Sequence, residues 1–205
     1  SNADFTPANG VVSGSGTQLD PYIIENWNIN GTDAGYALYI GNTTAYFIVR
    51  NNYLHNANGV GSLPYYPNSG LILYNVTNGK IENNNASGNS RYGIYLWSSS
   101  NNNITNNTAS GNSYGIYLDS SSNNITNNTA YGNSYDGIVL VDSSNNNITN
   151  NNASGNSDSG IVLVSSRNNN ITNNTASGNS QYGIYLWSSS NNNITNNNAS
   201  GNSYG

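Results

Sequence analysis

The sequence predicts an all-β fold: a right-handed, single-stranded parallel β-helix of about eight coils, each 22 or 23 residues long. Three observations carry this. The tetrad GIYL or a close variant begins at Gly70, Gly93, Gly115, Gly137, Gly160 and Gly183. An Ile followed by Thr or Glu falls at Ile81, Ile104, Ile125, Ile148, Ile171 and Ile194. A GNS signal marks a turn at Gly88, Gly111, Gly132, Gly155, Gly178 and Gly201. Three markers in one register define an internal repeat of one supersecondary unit per copy.

Within a unit the apolar pattern has period two. Ile94 and Leu96 share a face while Tyr95 points the other way, and Ile104 and Ala109 supply the apolar side of NITNNTAS. Short alternating runs between Ser, Asn and Gly clusters are strands. One unit cannot bury so narrow an apolar face alone, so each coil is expected to stack on the next. There is no six-residue rhythm and no calcium-binding nonapeptide, so the other common solenoids do not fit.

The elements follow in chain order. Ser1-Asn2-Ala3, with no Met, reads as an expression-tag scar and is set aside (residues 1–3). Residues 4–20 have no repeat partner and are expected to cap the first rung. Residues 21–205 are the β-helix. Its first third is more divergent: aligning Val49 with Ile81 puts Asn52 and Leu54 in register, and aligning Ile24 does the same for Trp27 and Ile29. A loop is expected from Gly61 to Asn68, carrying Pro64, Tyr65, Tyr66 and Pro67. The chain stops at Gly205 just where the next GIYL would begin, so the helix is read as truncated at its C-terminal end.

Composition supplies exclusions and one structural device. Only 13 of 205 residues are charged, with a net charge of −5, and Arg50, Lys80, Arg91 and Arg167 are scattered. A nucleic-acid partner is not expected, because it needs clustered cations. No apolar stretch reaches the ~18 residues of a membrane span. With no Cys, no Met and only His55, little is available to hold a transition metal. The 48 Asn residues have a place in the repeat. Three residues after each core Ile stands an Asn, giving a column Asn52, Asn84, Asn107, Asn128, Asn151, Asn174 and Asn197. Amides stacked one rung apart can donate and accept along such a ladder. Asn128→Leu is therefore expected to destabilise more than Asn123→Leu.

The block DPYIIENWNINGTDAGYALYIGNTTAYFIVRNNYLHNA and units such as GIYLWSSSNNNITNNTASGNS resemble the parallel β-helix repeat family. The resemblance is closest to the NosD-like and CASH-type (carbohydrate-binding and sugar hydrolase) domains of archaeal surface proteins. It implies a pectate-lyase-like solenoid, an extracellular or cell-surface setting and contact with carbohydrate. NosD is associated with copper delivery, and the missing Cys, Met and clustered His argue against carrying that role over.

Three candidate sites emerge. Asp119 and Asp142 each lie six residues before a core Ile, in a column otherwise filled by Asn75, Ser98, Ser165 and Ser188. Two carboxylates one rung apart could share a proton, act as an acid/base pair or hold calcium. No third acid, Lys, Arg or His joins them, and a turn tolerating Asp in place of Ser explains them as well. The second candidate is aromatic. Outward positions of the GIYL strand carry Tyr74, Tyr95, Trp97, Tyr117, Tyr185 and Trp187, interrupted by Val139 and Val162. Exposed rings with a polar handle suit sugar faces, although aromatics also favour strands for packing alone. The third is an outward lattice of Asn103, Asn124, Asn147, Asn170 and Asn193 beside Thr105, Thr126, Thr149, Thr172 and Thr195, as an ice-binding solenoid would present. The NIT triplets, Asn42-Thr43-Thr44 and Asn75-Val76-Thr77 match the N-glycosylation pattern, which arises without selection in so Asn-rich a chain.

The expected function is a non-enzymatic surface module that binds polysaccharide and acts as a rigid spacer. The alternative is a polysaccharide-active hydrolase or lyase using Asp119 and Asp142. The last coil would expose strand edges and invite end-to-end self-association.

Overall fold

In a computed structural model the chain is described at residues 1–59 and 67–205. Most of the expected loop, Gly61 to Tyr66, lies outside the described residues. The fold is a right-handed parallel β-solenoid with three faces. In one representative coil the faces are the strands Ser100–Thr105, Thr108–Ser110 and Tyr114–Asp119. The first face is an eight-stranded sheet and the second long face a seven-stranded sheet among the described residues. That makes seven complete turns and part of an eighth, slightly fewer than the repeat count suggested. At an inter-strand spacing near 4.8 Å the stack rises about 35 Å.

Side-chain period fixes the register. Along the first face Ile24, Val49, Ile81, Ile104, Ile125, Ile148, Ile171 and Ile194 stand opposite one another in order. Along the GIYL face Leu73, Leu96, Leu118, Leu140 and Leu163 do the same. The narrow third side contributes Leu54, Ala86, Ala109, Ala130, Ala153 and Ala176. These columns meet in one core, and most of their members are fully buried. Each buried Ile or Leu contributes roughly 1.5–3 kcal/mol. A one-residue slip would turn a whole column outward, so the register is strongly specified. At the N-terminal end Phe5 stacks on Tyr22 at 4.7 Å and tilts against Phe47 at 5.5 Å, and Val11 is buried with them.

The corners account for most of the Asn and Ser. Each standard coil turns at residues with positive φ, for example Asp142, Asn145, Asn150 and Gly155. Asn, Asp and Gly tolerate this left-handed region best. Inside three corners run amide ladders. In the Asn52–Asn197 column each side chain donates from Nδ2 to the next Oδ1 at 2.9–3.1 Å. Two further ladders occupy the other corners: Asn102, Asn123, Asn146, Asn169 and Asn192, and Asn89, Asn112, Asn133, Asn156, Asn179 and Asn202. Asn123, taken from the sequence as a residue outside the ladder, is thus buried inside one. A fourth inner column is built of hydroxyls, Ser99, Ser121, Ser143, Ser166 and Ser189, each accepting a backbone N–H from the rung before.

One coil is short. Ladder partners are 21 residues apart between Asn107 and Asn128, against 23 between Asn128 and Asn151. One residue is missing between Gly111 and Gly115, where GNSYG replaces GNSRYG, and one between Asp119 and Ile125. At the second place the strand pairing shifts between Ser122 and Asn124. The positive-φ residue that Asn101, Asn145, Asn168 and Asn191 supply elsewhere has no counterpart there.

Candidate functional site

The short coil changes the expected acidic pair. Counting back from Ile125 places Asp119 in the turn column, but the count crosses the missing residue. In the fold Asp119 stands on the GIYL strand, opposite Trp97 on one side and Val141 on the other. Asp142 is the next residue along, in the left-handed turn position shared with Ser98, Ser120, Ser165 and Ser188. The two residues occupy different columns and do not stack as the spacing in the sequence suggested. Asp119 Oδ1 accepts from the Ser120 hydroxyl at 3.1 Å. Asp142 is exposed, and its residue type is explained by the turn.

The outer surface of the GIYL sheet is aromatic over several rungs. Tyr74 packs against Trp97 at 4.7 Å between ring centroids. Tyr92 stacks on Tyr95 at 4.8 Å and meets Tyr114 and Tyr117 at 5.4 and 4.8 Å. Tyr135 continues the row against Tyr114 at 5.3 Å. Tyr36 and Tyr39 join the same cluster on the N-terminal side. These separations are those of favourable stacked and edge-to-face pairs. Tyr95 was expected to be exposed and is instead only 9% accessible, because the neighbouring rings cover it. Tyr74, Trp97, Tyr114 and Tyr117 keep part of their surface open. Tyr185 lies apart, stacked on Tyr182 at 4.6 Å, and Trp187 is 60% exposed at the far end.

Two ring positions and two acids were not singled out from the sequence. Tyr92 and Tyr114 precede the tetrad glycine, and Asp136 follows them in the same column. The Arg91 guanidinium lies 5.0 Å from the Tyr92 ring centroid, a cation–π contact. The Asp136 carboxylate accepts the Ser159 backbone N–H at 3.0 Å, and Asp158 sits one rung on. Burial, with the nearby Asp158 charge, pushes the Asp136 carboxyl up to about 6. Burial, followed by the negative charge of Asp119, pushes the Tyr95 phenol well above its ordinary value. Burial raises Tyr117 likewise, with Tyr92 and Asp119 adding to it, and burial also raises Tyr92 and Tyr114. These phenols are neutral donors near pH 7. A tyrosine serving as a general base would need the opposite shift. The signal for this column in the sequence is the Tyr just before the tetrad glycine at Tyr92, Tyr114 and Tyr182.

The opposite long face carries the Asn/Thr lattice. Asn124, Asn147, Asn170 and Asn193 each donate to the Asn of the rung before at 2.8–3.0 Å. Every Thr hydroxyl beside them donates to the Asn two residues earlier, as Thr105 does to Asn103 at 2.7 Å. The lattice is therefore largely satisfied within itself.

The family described as "Periplasmic copper-binding protein (NosD)" matches residues 8–135 and 66–205, which together reach nearly the whole chain. The chain belongs to the NosD family. Among solved structures this NosD-family chain is similar to the periplasmic alginate epimerase AlgG, with TM-score 0.68 and 21% identity over 88% of this chain and 50% of that one. It is similar to the Azotobacter vinelandii mannuronan C-5 epimerase AlgE4 A-module, with TM-score 0.68 and 18% identity over 89% of this chain and 60% of that one. It also resembles the Dettilon tailspike protein, with TM-score 0.58 and 20% identity over 80% of this chain and 41% of that one. The chain spans about 40–60% of the length of these proteins, and the likeness shows a common fold. No protein among the curated sequences matches it.

The copper in the family description meets an unsuitable donor set here. The chain has no Cys and no Met. Its one imidazole, His55, is stacked on Tyr53 at 4.1 Å, and its Nε2 lies 2.7 Å from Asn28 Oδ1. No group of three or more His, Cys, Asp or Glu side chains gathers among the described residues. Soft copper sites draw on thiolate, thioether and clustered imidazole ligands. The residues present do not fit the metal.

Proposed function

We propose that this NosD-family chain is a non-enzymatic polysaccharide-binding module of an extracytoplasmic protein, with the solenoid serving as a stiff spacer. The reading rests on the aromatic sheet surface formed by Tyr74, Trp97, Tyr92, Tyr95, Tyr114 and Tyr117 on three successive rungs. Rings held by their neighbours lose little freedom on binding, and their partly open faces can stack on pyranose rings. The protonated phenols add hydrogen-bond donors at the ring edges. The similar structures, an alginate epimerase, a mannuronan C-5 epimerase and a tailspike, favour an elongated glycan over a small ligand. The NosD family is described as periplasmic and so is the AlgG epimerase, which favours a location beyond the cytoplasmic membrane.

The enzymatic alternative loses support with the separation of Asp119 from Asp142. An ice-binding role of the Asn/Thr face is disfavoured because the threonine hydroxyl hydrogens are used inside each rung. Affinity electrophoresis through polysaccharide-containing gels tests the binding reading. Trp97→Ala combined with Tyr117→Ala is expected to abolish retardation while the thermal transition shifts by only a few degrees. Retardation that survives this double replacement, in a folded protein, would sink the proposal.

A further inference from the structure

The charges around the aromatic surface bear on which glycan it takes. This inference rests on the binding reading above. Asp119 projects from the GIYL sheet between Trp97 and Val141, and its charge is felt at Tyr92, Tyr95 and Tyr117. Asp136 and Asp158 flank Tyr114 on the next rungs, and both charges reach its phenol. Against these three carboxylates stands one cation, Arg91, already laid over the Tyr92 ring. The other basic side chains do not serve this face. Arg50 pairs with Glu25 at 2.5 Å and Lys80 with Glu82 at 2.7 Å, all four on the opposite long sheet. Arg167 belongs to a corner between Ser144 and Ser190.

A polymer of uronic acids lying on this surface would carry about one negative charge per sugar past three fixed negative charges. Like charges about 8 Å apart at a wet surface weaken binding by a factor of about two to three each, so three carboxylates offset by Arg91 amount to roughly four- to ninefold at low salt. A hexose polymer without charges meets no such repulsion. Its hydroxyls can donate to Asp119 and Asp158, and hydroxyl-to-carboxylate bonds are among the stronger ones. The aromatic stacking is equally available to it. We infer that the aromatic face of this protein selects an uncharged hexose polysaccharide and rejects polyuronates, although one of the epimerases it resembles is named for alginate.

The test is native affinity electrophoresis at low ionic strength. One set of gels contains neutral glucan, mannan or galactan, and the other contains alginate or polygalacturonate. The expected result is retardation by at least one neutral polymer at a concentration about fourfold or more below any that retards in polyuronate. The Asp119→Asn/Asp158→Asn variant is expected to narrow that gap by raising polyuronate binding. Equal or stronger retardation by a polyuronate overturns the inference and leaves the binding reading standing. A gap unchanged in the double variant also overturns it, since the exclusion would not come from these charges. Retardation by none of the polymers removes the binding reading itself, and this inference with it.

Discussion

At the scale of single residues, the amides buried in the corners are satisfied by one another and by backbone groups of the neighbouring rungs. The Asn107 backbone N–H and Nδ2 both donate to Asn128 Oδ1, and Asn128 Nδ2 donates back to the Ile104 carbonyl at 2.8 Å. Asn123 has the equivalent set, receiving both donors of Asn102 and giving one to the Ser99 carbonyl at 2.7 Å. Leucine at either site leaves the preceding Asn's backbone N–H without its acceptor and a carbonyl without its amide donor, at about 1–3 kcal/mol for each such group, while the preceding Nδ2 keeps its bond to a backbone carbonyl. Asn128→Leu and Asn123→Leu should therefore both lower stability by roughly 3 kcal/mol or more in urea titrations. Asn103→Leu, on the outer lattice, should cost less than about 1 kcal/mol. A second prediction concerns Asp136. Burial raises its folded carboxyl to about 6, above the ordinary unfolded value. Between about pH 4 and pH 6 the folded chain holds a proton that the unfolded chain has released, so stability falls as pH rises through that window and then levels. Asp136→Asn should remove the fall: its unfolding free energy should exceed the parent's at pH 7 by an amount on the order of 1–2 kcal/mol, read by urea titration, and match it near pH 3.5. The ladder position could be read from the sequence because it keeps a fixed distance from a core Ile. Asp119 could not be placed that way, since a missing residue lies between it and its anchor. Nor could the burial of Tyr95, which depends on rings brought over it from Tyr92 and Tyr117.

At the scale of elements, the tetrad glycine is a packing requirement. A Cβ on Gly137 would lie 2.8 Å from the Gly160 carbonyl oxygen and from Asn156 Nδ2, and 2.9 Å from the Ala153 Cβ. The same crowding recurs at Gly93, Gly115 and Gly160, so the strand can enter its face only where no side chain stands between it and the next coil. Gly137→Ala should lower stability by about 1–3 kcal/mol, the usual cost of overpacking, with the transition measured by far-ultraviolet circular dichroism. Ala153→Gly, added to it, should recover part of the loss by making room. The glycines were legible as repeat markers. Their reason was not, because it lies in an alanine and an amide 15–19 residues further along the chain. The strands themselves were legible, since one apolar residue in two needs no partner information to be recognised.

At the scale of the whole molecule, every coil touches chiefly the one before and the one after, and stability is close to a sum of repeats and junctions. Removing residues 137–159, one 23-residue unit, reconnects Asp136 to Gly160 with every column in register. The shortened protein should fold cooperatively with a modestly lower melting temperature. Removing 137–158 instead shifts every later column by one and should abolish the sharp transition. The ladders have one more property at this scale. Each inner Oδ1 accepts a backbone N–H, which fixes the orientation of the amide, and every inner Nδ2 that bonds within a ladder donates toward the C-terminal coil. The side-chain dipoles of three columns therefore add along the axis, each comparable to the ~3.5 D of a peptide group. The outer Asn column runs in the opposite sense and cancels only part of the sum. A chain with almost no ionised groups thus has a built-in electrical polarity, positive toward its C-terminal coils. That is the reverse of an α-helix, and it is made wholly of neutral side chains.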